Sequence, residues 1–230
     1  MGRLLVLEGL DGSGKSTQTE RLKQTLEAAG QPLRQIKLPD YDHPSSALVK
    51  QYLAGDFGSD PAAVNAYAAS SFYAVDRVAS FLLDWKADYE AGTLVLADRY
   101  TTSNPIYQMT KLPKEDWGAY LSWVRDFEYG KLELPEPDLI IFLDMPVEVS
   151  QKMMTGRYEG DEGKKDVHEK NVRFLEACRE AALYTAEQWG WNVVSCADGD
   201  APRSIASIAE EVYLLSAKLI ETEACTWQNH

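Results

Sequence analysis

One segment near the start of the chain constrains the possible folds more than any other: residues 9–16, with the sequence GLDGSGKS. It matches the pattern G-x-x-x-x-G-K-[ST] at every position. An unbroken apolar run precedes it at residues 4–7, and a helical pattern follows it, with Leu22 and Leu26 four residues apart and Gly30 as the stop. A glycine-rich loop between a buried strand and a helix can turn its backbone N–H groups around phosphate oxygens. The sequence therefore predicts a phosphate-binding loop.

The residue types in this loop predict how it binds a nucleotide and a metal. The ammonium group of Lys15 can reach the transferred phosphate, and the hydroxyl of Ser16 can ligate Mg²⁺. The predicted ATP contacts are Gly9, Asp11, Gly12, Ser13, Gly14, Lys15, Ser16 and Thr17. GTPase switches use the same loop, but they usually carry an N/T-K-x-D motif, and the segment TKLP at residues 110–113 lacks the aspartate. The pattern favours a kinase over a switch.

The rest of the chain alternates short apolar strands with amphipathic helices. Strands are predicted at residues 3–8, 33–38, 93–97, 139–143 and 192–195, and helices at 15–29, 60–89 (in two pieces, starting at Asp60-Pro61), 113–127, from 146, 167–189 and 203–220. This order predicts an α/β three-layer sandwich of the P-loop NTPase type, with a mostly parallel five-stranded sheet and helices on both faces. We expect a single domain over residues 1–220, a lid near residues 155–166, and a tail at 221–230 to which no role is assigned.

Composition and charge bear on the class of partner. Hydrophobic residues make up 45% and charged residues 26% of the 230 residues, which is typical of one globular domain. The net charge of −13 argues against nucleic acid or an anionic membrane as a partner, and no apolar run reaches the roughly 20 residues of a membrane span. Cys178, Cys196 and Cys225 form no CxxC pair, which is typical of free thiols in the reducing cytoplasm.

Asp98 and Arg99 directly follow the predicted strand at residues 93–97. Ligands of parallel sheets bind beyond the carboxyl ends of the strands, where the phosphate loop also lies. At that position Asp98 can hold Mg²⁺ through a water molecule, and Arg99 can stabilise phosphoryl oxygens. The pair is predicted to extend the phosphate site.

Three segments together give the sequence a specific resemblance. They are EGLDG at residues 8–12, YAVDR at 73–77 and DRYTTSN at 98–104. Their order and spacing resemble those of thymidylate kinases, and the resemblance runs from about residue 3 to the closing helix. It implies transfer of the γ-phosphoryl group of ATP to dTMP, with Mg²⁺ as cofactor, in a cytoplasmic homodimer.

The resemblance also implies roles for individual residues of the acceptor site. Arg77 matches an arginine that binds the acceptor phosphate, and Tyr73, one turn earlier, matches the aromatic residue that stacks on thymine. Asn104 matches a residue that hydrogen-bonds the edge of the base. Tyr107 matches one that packs where a 2'-hydroxyl would clash. The full set of implied dTMP contacts is Asp11, Tyr73, Arg77, Arg99, Ser103, Asn104 and Tyr107.

The resemblance further implies a catalytic arginine in the lid, for which Arg157 is the best match and Lys164 and Lys165 are weaker alternatives. Catalysis is thus assigned to Lys15, Arg99 and Arg157. The chain departs from the family in two places. The segment LPDY at residues 38–41 lacks the arginine that many members have there, so Tyr41 or Lys37 is left as its replacement, and Gly12 stands where some members carry an arginine.

Two alternatives to this function remain at the level of sequence. One is a kinase of the same fold that acts on another nucleoside monophosphate or on a deoxynucleoside. The other is a nucleotide-binding regulator without transferase activity. An assay of common monophosphates with ATP distinguishes all three.

Overall fold

A parallel sheet forms the centre of the computed structural model. The structure describes residues 1–58, 60, 63–157 and 172–226. Side chains are described as far as residue 153 in the third of these segments and as far as residue 220 in the fourth. The strands are β1 Leu4–Gly9, β2 Leu33–Lys37, β3 Leu94–Asp98, β4 Leu139–Asp144 and β5 Asn192–Ser195. Their order in the sheet is β2-β3-β1-β4-β5, and all neighbours are parallel. Two short strands, β6 Ala197–Asp198 and β7 Ala201–Pro202, pair separately.

Helices connect the strands. They are α1 Lys15–Ala28, α2 Ala47–Ala54, α3 Ala66–Ser80, α4 Lys86–Glu90, α5 Ser103–Tyr107, α6 Trp117–Val124, α7 Val147–Arg157, α8 Val172–Trp189 and α9 Ile205–Thr226. Two π-helical turns, Phe81–Trp85 and Arg125–Lys131, continue α3 and α6. Short 3₁₀ turns lie at Pro44–Ser46, Met109–Lys111 and Lys114–Asp116.

Alternate side chains of the central strand β1 serve two different cores. Leu5 and Leu7 belong to a cluster that includes Leu22 of α1 and Val212 of α9. The other face of the sheet, which carries Leu4 and Val6, packs against Trp85 and Tyr100. Because β1 is buried on both faces, its sequence is an unbroken apolar run. The predicted three-layer α/β sandwich is confirmed.

The predicted helix start at Asp60-Pro61 is wrong for α3. Pro61 lies outside the described residues, but Asn65 is in an extended conformation and its side-chain Oδ1 accepts a hydrogen bond from the backbone N–H of Ala68 at 2.8 Å. This contact caps a helix that begins at Ala66. Helix α2 was not predicted, and α9 starts two residues later than expected and continues to Thr226, into the segment expected to be a tail.

In the part of the chain that the structure describes, no helix has both the length and the apolar character needed to cross a bilayer.

Candidate active site

The phosphate loop connects β1 to α1 as predicted. Gly12 and Gly14 adopt φ angles of 80° and 83°, which favour glycine because they lie in the left-handed region. Gly9 is required by space, since a Cβ atom built on it would lie 2.5 Å from the side-chain oxygen of Ser13. Helix α1 begins at Lys15, and its first turn carries no acidic side chain. No carboxylate of that turn therefore competes for the positive end of the helix dipole, which faces the loop.

Lys15 and Asp98 form a buried ion pair at the centre of the site. Asp98 ends β3, next to β1 in the sheet, so the ends of two neighbouring strands bring the pair together. Burial, followed by the positive charge of Arg99, lowers the pKa of Lys15. The prediction that these residues share one site is consistent with this geometry.

The surroundings of Lys15 suit a Mg²⁺ ion that is held largely by nucleotide phosphates. Within the described residues, no group of three or more His, Cys, Asp or Glu side chains could hold a metal by itself. The available oxygen ligands are the carboxylate of Asp98 and the exposed hydroxyl of Ser16, the residue after Lys15. Mg²⁺ usually keeps several waters and binds through one or two protein oxygens together with substrate phosphates. The donor set therefore fits the predicted cofactor.

Arg99 joins the phosphate loop to the acceptor side of the site. Its guanidinium donates hydrogen bonds to the carboxylate of Asp11 at 2.8 Å and to the hydroxyl of Tyr107 at 2.9 Å. The φ angle of Arg99 is 70°, an uncommon value for a residue other than glycine. The backbone N–H of Arg99 still bonds to Leu7 of β1, so the sheet holds this conformation in place.

Glu8 is a site residue to which the sequence gave no role. Its carboxylate is fully buried, and Oε1 accepts hydrogen bonds from the hydroxyls of Thr102 and Ser103 and from the backbone N–H of Tyr100. Its second oxygen, Oε2, lies 4.0 Å from Arg99. Glu8 therefore ties the loop after β3 to β1. Ser103, implied as a dTMP contact, here donates its hydroxyl hydrogen to Glu8, and its contact with dTMP stays a prediction.

Arg77 and Asn104 meet on a second carboxylate that the sequence did not reveal, Glu128. Arg77 makes two hydrogen bonds of 2.7 Å to Glu128, and Asn104 makes one of 2.8 Å. All three side chains are buried. Arg77 therefore lies beside the residue predicted to bind the edge of the base, whereas Arg99 lies beside the phosphate loop. Contact between Arg77 and the acceptor phosphate stays a prediction, and the geometry favours Arg99 for that contact.

An aromatic group adjoins this part of the site. The ring of Tyr73 contacts that of Tyr52 from α2 edge to face, with centroids 6.3 Å apart, and Tyr52 also contacts Phe72. Burial raises the pKa of Tyr73, so its hydroxyl stays neutral under ordinary conditions. The stacking of Tyr73 on the base stays a prediction.

Helix α3 also holds the loop that follows β2. The buried carboxylate of Asp76 accepts hydrogen bonds from the backbone N–H of Asp40 at 2.9 Å and from the hydroxyl of Ser45 at 2.6 Å. This loop contains Tyr41, which is 45% exposed, and it follows the exposed Lys37 at the end of β2. Neither residue is established as the replacement for the arginine that is missing there.

The lid prediction falls largely outside the described residues. Arg157 is the last residue of α7, and its side chain is not described. Lys164 and Lys165 lie in the segment 158–171, which is outside the described residues. The role of Arg157 therefore stays a prediction.

A parallel sheet with a phosphate loop after β1, and an Asp-Arg pair at the neighbouring strand end that contacts that loop, defines the class of P-loop nucleotide kinases. The family model described as thymidylate kinase matches residues 7–200, so the chain belongs to the thymidylate kinase family.

Similar proteins cover nearly the whole chain. It is 31% identical over 213 residues to the thymidylate kinase of Mycobacterium tuberculosis, covering 90% of this chain and 97% of that one. It is 30% identical over 191 residues to a probable thymidylate kinase of Thermococcus gammatolerans, covering 82% of this chain and 85% of that one. It is 25% identical over 221 residues to the thymidylate kinase of Danio rerio, covering 95% and 92%.

Proposed function

We infer that this chain transfers the γ-phosphoryl group of ATP to dTMP and releases dTDP and ADP. The observation that carries the inference is the contact of Arg99 with both Asp11 of the phosphate loop and Tyr107 of the acceptor side. One guanidinium thus lies where a donor phosphate and an acceptor phosphate would meet. Membership of the thymidylate kinase family supports dTMP as the acceptor.

The proposed reaction needs positioning and charge stabilisation. A phosphate oxygen of dTMP attacks the γ-phosphorus, and the bond from that phosphorus to the β–γ bridging oxygen breaks, which leaves the electron pair on ADP. No general base is required, because the acceptor oxygen is already ionised. Lys15, Arg99 and Arg157 are proposed to stabilise the charge of the moving group. Mg²⁺, held by Ser16 and through water by Asp98, supplies additional positive charge when bound.

The acceptor is proposed to lie between the phosphate loop and α3. Arg99 then binds its phosphate, Tyr107 lies against its sugar, and Tyr73 stacks on its base. Asn104 and Arg77 lie at the edge of the base. This arrangement is based on the hydrogen bond from Arg99 to Asp11 and on the hydrogen bonds that Arg77 and Asn104 both donate to Glu128.

The assembly and location are also proposals. Val75 on α3 and Leu82 and Leu83 in the π turn after it are 51%, 57% and 73% exposed. An apolar surface of this kind supports the homodimer that the family resemblance implies. A cytoplasmic location is proposed on the same resemblance.

The direct test is an acceptor panel with ATP and Mg²⁺: dTMP, dUMP, dCMP, dAMP, dGMP and thymidine, with ADP formation measured. We expect dTMP to give the highest kcat/KM. ATP turnover that no acceptor accelerates, or better use of another acceptor, would contradict the proposal.

A loop variant tests the donor side of the site. Lys15→Ala should lower kcat at least about a hundredfold, as removal of a single charge-stabilising donor typically does. Because Lys15 pairs with the buried carboxylate of Asp98, the variant leaves that carboxylate without its partner, so circular dichroism must first show that the variant folds. Near-normal kcat in a folded variant would mean that the loop is not the catalytic phosphate site.

A further inference from the structure

The fully buried carboxylate Glu128 bridges two elements of the acceptor site. It lies in the π-helical turn that follows α6, and it contacts Arg77 of α3 and Asn104 of α5. Its Oε2 accepts from Nε of Arg77, and its Oε1 accepts from Nη2 of Arg77 and Nδ2 of Asn104. Of the described residues, only Glu128 bonds to both of these side chains. π-Helical turns inside helices often occur at functional sites.

Arg77 and Glu128 form a buried ion pair in which two hydrogen bonds of 2.7 Å join the guanidinium to the carboxylate, so that the two charges offset each other. Burial raises the pKa of Glu128, whereas the adjacent guanidinium and the hydrogen bonds from Arg77 favour its ionised form. Burial alone would lower the pKa of the Arg77 guanidinium, but the adjacent Glu128 carboxylate outweighs this effect and the pKa is raised. A neutralised pair offers little attraction to a phosphate, whereas it can still donate hydrogen bonds. Nη1 of Arg77 lies 3.5 Å from the carbonyl oxygen of Tyr100, which is long for a hydrogen bond. The N–H groups on Nη1 therefore remain able to donate to a ligand.

Glu128 also determines which way the Asn104 amide points. The nitrogen Nδ2 faces two acceptors, Oε1 of Glu128 at 2.8 Å and the carbonyl oxygen of Ser70 at 3.3 Å. Because both partners can only accept, the nitrogen must occupy that side and the oxygen Oδ1 must point the other way. None of the described residues donates a hydrogen bond to Oδ1. The amide thus presents an acceptor to the site.

This pattern, a donor from Arg77 and an acceptor from Asn104, matches one type of pyrimidine edge. Thymine and uracil carry a carbonyl acceptor at C4 and a donor at N3–H, whereas cytosine carries an amino donor at C4 and an acceptor at N3. We propose that Glu128 is a positioning residue that fixes this donor–acceptor polarity and so selects bases with N3–H and a C4 carbonyl over cytosine. The inference rests on the proposed function, since it concerns the acceptor of that reaction.

The test measures the ratio of kcat/KM for dTMP to that for dCMP, together with KM for dTMP and for ATP. In Glu128→Gln, the carboxylate charge is lost and one of the two oxygens becomes an NH₂ group that cannot accept, so at least one of the three hydrogen bonds from Arg77 and Asn104 is lost and a donor faces a donor. We expect KM for dTMP to rise at least tenfold and the dTMP/dCMP ratio to fall at least tenfold, with KM for ATP within twofold. The matched control is Glu136→Gln, which removes an exposed carboxylate paired with Arg125. It should change neither KM for dTMP nor the dTMP/dCMP ratio.

A second variant covers the case in which Glu128→Gln fails to fold. Glu128→Asp keeps the charge, but it is one methylene too short to reach both partners. We expect it to melt close to the wild type and to lower the ratio at least threefold. A purely structural role predicts instead that activity with both acceptors falls in parallel, so an unchanged ratio in either folded variant would overturn the inference.

The outcomes also separate this inference from the proposed function. Absence of dTDP formation by the wild type would contradict the function, and calorimetric binding of dTMP and dCMP would then still measure base selection. Normal wild-type activity with an unchanged ratio in the variants would overturn only the role of Glu128.

Discussion

Single residues differ in how far the sequence reveals their roles. Lys15 belongs to a contiguous pattern whose chemistry is local, and its pairing with Asp98 follows from the order of the strands. Glu128 carries no such signal, and Glu8 belongs to the segment EGLDG that carries the resemblance but has no role assigned from the sequence. Each becomes a site residue only because tertiary packing buries its carboxylate against partners far away in the chain. Both carboxylates are fully buried and hold other segments of the site in place.

Two variants of Tyr107 distinguish its predicted contact with the sugar from its hydrogen bond with Arg99. Its hydroxyl accepts from Arg99 and its ring lies 5.1 Å from the guanidinium carbon. Tyr107→Phe loses only the hydroxyl contact, whereas Tyr107→Ala also opens space beside the sugar. We expect both variants to lose kcat/KM, but only the alanine variant to narrow the preference for deoxyribose over ribose acceptors, by about tenfold. Equal discrimination in both variants, measured with dTMP and its ribose analogue, would place sugar selection elsewhere.

The lowered pKa of Lys111 leads us to expect that the free energy of unfolding depends on pH. Its ammonium group bonds to the hydroxyl of Tyr52 at 2.8 Å and to the carbonyl oxygen of Val64 at 2.9 Å, with no carboxylate among these partners. Burial lowers the pKa of Lys111 to about 8. An unfolded lysine has a pKa of about 10.4, so between these two values the unfolded chain binds the extra proton. The free energy of unfolding should therefore rise with pH across this window.

Denaturant titrations from pH 7 to 10 measure this effect as the difference between the wild type and Lys111→Met. The difference should be constant below about pH 8 and should shift in favour of the wild type above it. Lys114→Met removes an exposed lysine from the next turn of the chain and serves as the control. Parallel curves for the wild type and Lys111→Met would show that Lys111 keeps an ordinary pKa in the folded chain.

At the scale of elements, the sequence predicts the sheet better than the helices around the acceptor. The predicted strand at residues 192–195 has the observed bounds of β5, since the adjacent β-branched residues Val193 and Val194 favour a strand. The start of α3 was misplaced because two plausible caps lie five residues apart, Asp60 and Asn65, and the structure uses Asn65. The π-helical turn that carries Glu128 has no counterpart in a regular helical pattern, so neither the turn nor its carboxylate could be predicted.

The catalytic role predicted for Arg157, at the start of the predicted lid, can be tested by substitution. Arg157 ends this helix, and the phosphate loop offers Lys15 but has Gly12 where some relatives carry an arginine. An arginine supplied to a phosphoryl-transfer site is worth about 10³–10⁵ in kcat. We expect Arg157→Ala to lose at least about a hundredfold in kcat, a cautious lower bound below that range, while dTMP affinity barely changes.

The planar guanidinium fork matters for this role, so Arg157→Lys should recover little activity. Lys152→Ala removes an exposed cation from the same helix and should leave kcat unchanged. Steady-state kinetics with a parallel dTMP titration provide the measurement. A kcat for Arg157→Ala within about fivefold of the wild type would turn attention to Lys164 and Lys165.

At the scale of the whole molecule, net charge and exposed apolar surface act against each other. A chain with a net charge of −13 repels its own copies, which favours separate chains at low ionic strength. Val75, Leu82 and Leu83 nevertheless expose more than half of their surface along one helical stretch. Complete burial of a fully exposed side chain of this type contributes about 1.5–3 kcal/mol, and these three still have half or more of that surface to bury, so pairing of two such surfaces opposes the repulsion.

The homodimer is therefore expected to depend on both the apolar surface and the salt concentration. Sedimentation of the wild type should give about twice the chain mass of 25.7 kDa, with tighter association as salt screens the repulsion. Leu83→Glu places a charge on the surface and should give monomers. Leu214→Glu is the control, because Leu214 is a comparably exposed leucine on α9, outside this surface. A dimer that persists in Leu83→Glu, or that dissociates equally in Leu214→Glu, would place the interface on another face of the molecule.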